Sequence, residues 1–142
     1  MSKHFSMAEL TFSQTATRRG IENNPPPVVA ANLDRLAETL EQVRSLIGPL
    51  TVSSGYRSPA LNMAVGGARD SAHLRGLAAD ITAGGVTPKA LALLIRESGI
   101  EFDQLIWEGT WVHLGLSEGP ARRQVLTASF TNGKANYIEG IT

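Results

Sequence analysis

Between residues 33 and 47 the apolar positions keep a single period. Leu33, Leu36, Leu40, Val43 and Ile47 recur at three- and four-residue intervals, with Arg35, Glu38, Glu41 and Arg44 among them. On an α-helix these apolar residues form one stripe, and the charges face away from it. A helix of this kind buries nothing alone, so the rest of the chain must supply a layer for the stripe to cover. Pro27, at the end of Asn24-Pro25-Pro26-Pro27, suits the first helical turn, where its missing amide hydrogen is not needed, and Gly48-Pro49 ends the helix.

The second layer is written as short apolar runs. Residues 50–54, 77–82, 102–107, 111–116 and 122–128 each suit a strand, with turns at Gly84-Gly85, Gly109 and Gly119-Pro120. Thr87 caps a second helix with Pro88 just inside it; Leu91, Leu94 and Ile95 give it an apolar face, and Gly99 stops it. Most strands are joined by turns rather than helices, which predicts an α+β fold: a small antiparallel sheet with packed helices. Residues 55–71 read as a glycine-rich loop with one helical turn near Asn62. Ser6 and Glu9 have capping-box spacing, so residues 1–24 are expected to form an N-terminal arm with a short helix. Residues 129–142 read as either a terminal strand or a loose tail. At 142 residues the chain is the size of a single domain, 1–142.

Composition narrows the function. The 13 basic and 13 acidic residues cancel, so no overall field favours nucleic acid or an anionic membrane. The chain has no cysteine, which excludes disulfides, thiolate metal ligands and a cysteine nucleophile. Any metal must therefore be held by nitrogen and oxygen. No apolar run has the length of a secretory signal or a membrane span, so no membrane insertion is expected, and delivery to a substrate outside the cytoplasm would need another agent.

Three residues invite a metal. His73 lies in the polar loop Arg69-Asp-Ser-Ala-His-Leu-Arg-Gly, and Asp80 closes the apolar run Leu77-Ala-Ala-Asp. A carboxylate buried there without a partner would be costly. Strand alternation places Val112 and Leu114 on one face and Trp111, His113 and Gly115 on the other, so His113 lines a cleft if the first pair faces the core. Two histidines and a carboxylate are a common set for catalytic zinc. The same residues also read as a turn-capping aspartate and a hydrogen-bonded strand histidine, and spacing alone leaves both readings open. Glu108, beside the short Gly109-Thr110 connection, is either a solvated turn residue or a base at the mouth of the hairpin that carries His113. Arg57, in Ser53-Ser-Gly-Tyr-Arg-Ser-Pro, is either a surface arginine or a two-pronged clamp for a carboxylate.

Taken together, these segments resemble the zinc D-alanyl-D-alanine carboxypeptidases and their phage endolysin relatives. The segment Ser71-Ala-His73-Leu-Arg-Gly76-Leu-Ala78-Ala-Asp80 matches the signature of that family at every fixed position, with Ser54-Gly-Tyr-Arg57-Ser upstream and Trp111-Val-His113 downstream in the right order. The resemblance implies a Hedgehog/DD-peptidase-like fold and one Zn2+ held by His73, Asp80 and His113. It implies Glu108 as catalytic acid and base, Arg57 as the reader of a substrate carboxylate, and Ser71 as a support for the substrate or the cleft loop. The implied partner is the peptidoglycan stem peptide, with no nucleic acid. Many relatives place the glutamate three residues before the last histidine; here the gap is five, as in relatives that cut between L-alanine and D-glutamate. That spacing favours an L-alanyl-D-glutamate endopeptidase, with a D-alanyl-D-alanine carboxypeptidase or a non-catalytic zinc-retaining module of a phage particle as rivals. A phage lysis enzyme, held in the host cytoplasm before release to the wall, or a particle component fits the missing signal.

Overall fold

The structure, a computed structural model, describes residues 1–142. Two short helices, α1 (Met7–Thr11) and α2 (Gln14–Arg19), precede the long helix α3 (Pro27–Ile47). There follow β1 (Leu50–Ser54), α4 (Pro59–Ala64), a 3-10 turn (Ala72–Arg75), β2 (Ala78–Ala83) and α5 (Pro88–Glu97). The strands β3 (Gln104–Trp107), β4 (Val112–Gly115), β5 (Gln124–Thr131) and β6 (Lys134–Glu139) complete the chain. The fold is α+β, and no helix is long and apolar enough to cross a membrane.

All six strands form one sheet in the order β1-β2-β4-β3-β5-β6. Its two faces have different fates. Ala79, Ile81, Leu105, Val112 and Leu114 join Leu33, Leu36, Leu40 and Val43 of α3 and Leu91 and Ile95 of α5 in the main core. The stripe on α3 thus meets the layer it required. Leu94 departs from the expected face of α5 and is 43% exposed, while Ala92 is buried in its place. The opposite sheet face is left open to form the floor of a cleft.

The expected antiparallel sheet needs one correction, because β5 lies parallel to β3. Gln104, at the start of β3, pairs with both Gly115 at the end of β4 and Gln124 at the start of β5. The connection between β4 and β5 therefore begins and ends at the same end of the sheet, and it needs only to pass the beginning of β3. Asp103 organises that passage. Its backbone N–H donates to Gly115 O at 2.8 Å, its carbonyl accepts from Gln124 N at 2.9 Å, and its carboxylate receives Arg122 Nη2 at 2.9 Å.

Both ends of the chain are tied into the fold, the C-terminal one as the strand that was one of its two readings. Residues 1–24 are more than an arm: Phe5 and Leu10 are buried in the main core at 1% and 0% exposure, and His4 and Glu41 join this segment to α3 at 2.7 Å. Residues 129–142 are not a tail, since β5 and β6 form an antiparallel hairpin through Asn132-Gly133 and Ile141 is buried. Both turn residues have positive φ, 53° and 76°, the backbone that a tight hairpin of this hand requires and that Asn-Gly supplies.

Candidate metal centre

His73, Asp80 and His113 reach one point from three elements, the 3-10 turn, β2 and β4. The β2–β4 register sets Asp80 directly opposite His113, on the cleft face and away from Val112 and Leu114. His73 comes from the 3-10 turn, whose start is capped by Ser71 Oγ accepting from His73 N at 3.2 Å. Gly76, in the left-handed region at φ 70°, then turns the chain into β2. There is no room at Gly76 for a side chain, because a Cβ would lie 2.8 Å from Val29 O.

The donor atoms are already arranged as ligands. Asp80 Oδ1 is 3.3 Å from His73 Nε2 and 3.2 Å from His113 Nδ1, and the potential ligand atoms of all three residues lie within 4.8 Å of one another. Ligands on a tetrahedral centre with bonds of about 2.0–2.1 Å are about 3.3–3.4 Å apart, so these two edges fit Zn2+ closely. The tautomer of His73 fits as well. Its Nδ1 sits 2.7 Å from Gly55 O, an acceptor only, so Nδ1 carries the hydrogen and the Nε2 lone pair faces the centre. Chemistry and spacing together make this one centre for one Zn2+.

Electrostatics keep the centre ready for a cation. Burial alone would raise the carboxyl of Asp80, but the adjacent His113 and His73 rings outweigh it and hold the group well below the carboxylate range. Burial also lowers His73, against the pull of Asp80. The result is an ionised carboxylate beside a histidine held in its neutral, ligating form.

Arg57 and Glu108 open onto the same cleft, of about 780 Å³, as the three ligands. The Arg57 backbone N–H donates to His73 O at 3.1 Å, and its Nη2 reaches Ser71 Oγ at 3.5 Å, so the arginine and the ligand loop are fastened together. Its Nε is buried without a hydrogen-bond partner. Burial lowers its pKa, while the negative charges of Asp80 and Glu108 act the other way. Glu108 is held at the β3–β4 turn by its backbone N–H bonding to Trp111 O at 3.0 Å, with Gly109 at φ 87° making the turn. Burial pushes the Glu108 carboxyl above its ordinary value; the charge of His113 opposes the shift and that of Asp80 adds to it.

Sequence reasoning passed over other residues of the cleft. Arg122, Leu126, Phe130 and Tyr137 all line it, beside Trp111, which strand parity with His113 had already placed on the cleft face. For Phe130 and Tyr137 the only signal was the Asn132-Gly133 turn, which converts an apparent tail into a hairpin continuing the same sheet face.

Two comparisons agree with this geometry. The zinc D-Ala-D-Ala carboxypeptidase of Streptomyces albus G is 40% identical over 72 residues, covering 49% of this chain and 28% of that protein. The match therefore spans less than a third of the relative's length. Residues 3–115 match the family model described as Peptidase M15, and this span carries the three ligands, Arg57 and Glu108. With most of its length matched and the family's ligand set assembled at zinc spacing, the chain belongs to the peptidase M15 family.

Proposed function

We propose that this chain is a zinc peptidase of the peptidoglycan stem peptide and that it removes the terminal residue of D-alanyl-D-alanine. The observation carrying the reading is that Arg57, a guanidinium with a buried and unpartnered Nε, shares one cleft with the ligand triad and Glu108. A fixed two-pronged cation beside the reaction centre suits a substrate whose carboxylate lies one residue beyond the scissile bond. The printed activity of the Streptomyces relative points the same way.

The residues divide the work simply. When bound, Zn2+ supplies Lewis acidity that polarises an amide carbonyl and makes a water more acidic. Arg57 binds the terminal carboxylate and sets the position of the scissile bond, and Ser71 holds Arg57 and the ligand loop in register. Glu108 takes the proton of the attacking water and delivers it to the departing amine nitrogen. A carboxyl raised by burial is better matched to both transfers than an ordinary one.

Mass spectrometry of defined muropeptides tests this directly. Pentapeptide stems should be shortened by one D-alanine. Glu108→Gln should retain one zinc per chain while turnover falls between about 100- and 10,000-fold. Near-native turnover in that variant would remove Glu108 from the chemistry. A second reading, cleavage between L-alanine and D-glutamate, is favoured by the five-residue gap from Glu108 to His113. Fragments split at that bond, with D-alanine retained, would replace the first reading with the second.

A further inference from the structure

The β5–β6 hairpin lies wholly outside the span that matches the family, and its residues have so far had no task. Pairing across the sheet shows where they point. Asp80, His113, Ile106, Leu126 and Glu139 form one row of directly paired residues running from β2 to β6. All five therefore emerge on the cleft face. One step along the hairpin on that same face, Ala128 is paired with Tyr137, and one step further Phe130 is paired with Ala135. The metal ligands and the hairpin aromatics thus share one surface.

That surface changes character along its length. Beside the ligands it carries a small buried apolar cluster of Ile106, Leu126 and Ala128. Beyond the cluster, Phe130 and Tyr137 are 57% and 53% exposed, although both line the cleft that contains the triad. Two large aromatic side chains left in water beside a reaction centre are what a ligand-binding wall looks like before its ligand arrives. Arg57, which follows β1, stands towards the opposite edge of the sheet, so the triad lies between the arginine and the hairpin.

We infer that Phe130 and Tyr137 form a substrate subsite that holds the peptide on the acyl side of the scissile bond, opposite the carboxylate held by Arg57. The inference rests on the proposed peptidase reading and extends it to the length of substrate recognised. From β4 to β6 is three strand spacings, about 14 Å, or the reach of about four extended residues. A stem peptide anchored at Arg57 reaches the hairpin only if it continues about four residues past the bond being cut, as the pentapeptide does and its C-terminal tripeptide does not. The occupant is thus an extended peptide with apolar side-chain or methylene surface, and the wall selects for length rather than for the leaving residue. Burial, with the nearby carboxylates of Glu108 and Asp80, raises the phenol of Tyr137 above its ordinary value.

Binding to zinc-loaded Glu108→Gln protein tests the wall without turnover, read by quenching of Trp107 and Trp111 fluorescence. The probes are the free pentapeptide stem and its C-terminal tripeptide. Adding Phe130→Ala and Tyr137→Ala should weaken pentapeptide binding about tenfold and tripeptide binding less than twofold. Tyr137→Phe should restore most of the pentapeptide affinity, and Ile138→Ala, on the opposite face of β6, should change neither. In the catalytically competent protein the same pair of substitutions should appear in KM for the pentapeptide rather than in kcat. Equal losses for both peptides, or no loss for either, would overturn the subsite. Preferential pentapeptide binding lost with the aromatics, in a protein that cuts no muropeptide, would leave the subsite standing and defeat the peptidase reading instead.

Discussion

Gly55 shows how narrowly the centre is held. Its carbonyl fixes the tautomer of His73, and a Cβ at this position would fall onto the carbonyl oxygen of Leu10. Tyr56, the next residue, donates its N–H to that same Leu10 carbonyl at 2.8 Å. The end of β1 can therefore approach α1 only because residue 55 has no side chain. Gly55→Ala should push these backbones apart, costing about 1–3 kcal/mol of stability through overpacking and displacing the acceptor of His73. Zinc affinity should fall by about 10- to 100-fold, measured by competition with a chromophoric chelator. Unchanged affinity would show that the Gly55 carbonyl does not orient the ligand. The ligands themselves were legible in the sequence, because a histidine and an aspartate at motif spacing leave a readable trace. The bond from Gly55 O to His73 was not, since it joins residues 18 apart through a backbone atom of no particular identity.

At the scale of elements, α3, β1 and α5 were readable because each carries its own period and its own caps. The placement of β5 was not. Nothing in residues 122–128 indicates which neighbour they will pair with, and parallel pairing to β3 depends on a clasp between distant residues. Arg122 gives three hydrogen bonds to the Asp103 carboxylate, from its backbone N, Nε and Nη2, at 3.0, 3.1 and 2.9 Å. The Arg122 hydrogen bonds hold the Asp103 carboxyl below its ordinary value. A depressed carboxyl contributes stability that is fully present above its unfolded pKa of about 3.9 and is lost as pH falls through the lower folded value. With Arg122 largely in solvent, the contribution is about 1–2 kcal/mol. Asp103→Asn should therefore be less stable than the native chain at pH 7, and the difference should narrow in chemical denaturation as pH falls below about 3.9. A gap that stays constant down to pH 2 would mean that the carboxylate charge is not what fastens β5.

As a whole, the molecule spends one face of its sheet on packing and keeps the other for chemistry. The N-terminal segment, through Phe5 and Leu10, and the C-terminal Ile141 both close onto the packed face, so the core is completed only when both ends are in place. The open face carries a different load: Asp80 is an ionised carboxylate set into the sheet between two histidines, with His73 only 2% exposed. Such a group is costly to desolvate, and a cation bound to all three ligands offsets that cost in the folded chain alone, because the unfolded chain does not bring residues 73, 80 and 113 together. Binding and global stability must then be linked. Free zinc at about 100 times its dissociation constant adds about 2.7 kcal/mol. For a domain of this size that corresponds to a rise in Tm of about 9 °C. Calorimetry with and without chelator should show that rise in the native chain and in Glu108→Gln, whose substitution leaves the ligands intact. It should be absent in His113→Ala. A chelator-insensitive Tm in the native chain would show that the three residues do not hold zinc; a zinc-dependent rise surviving in His113→Ala would place the metal elsewhere in the molecule.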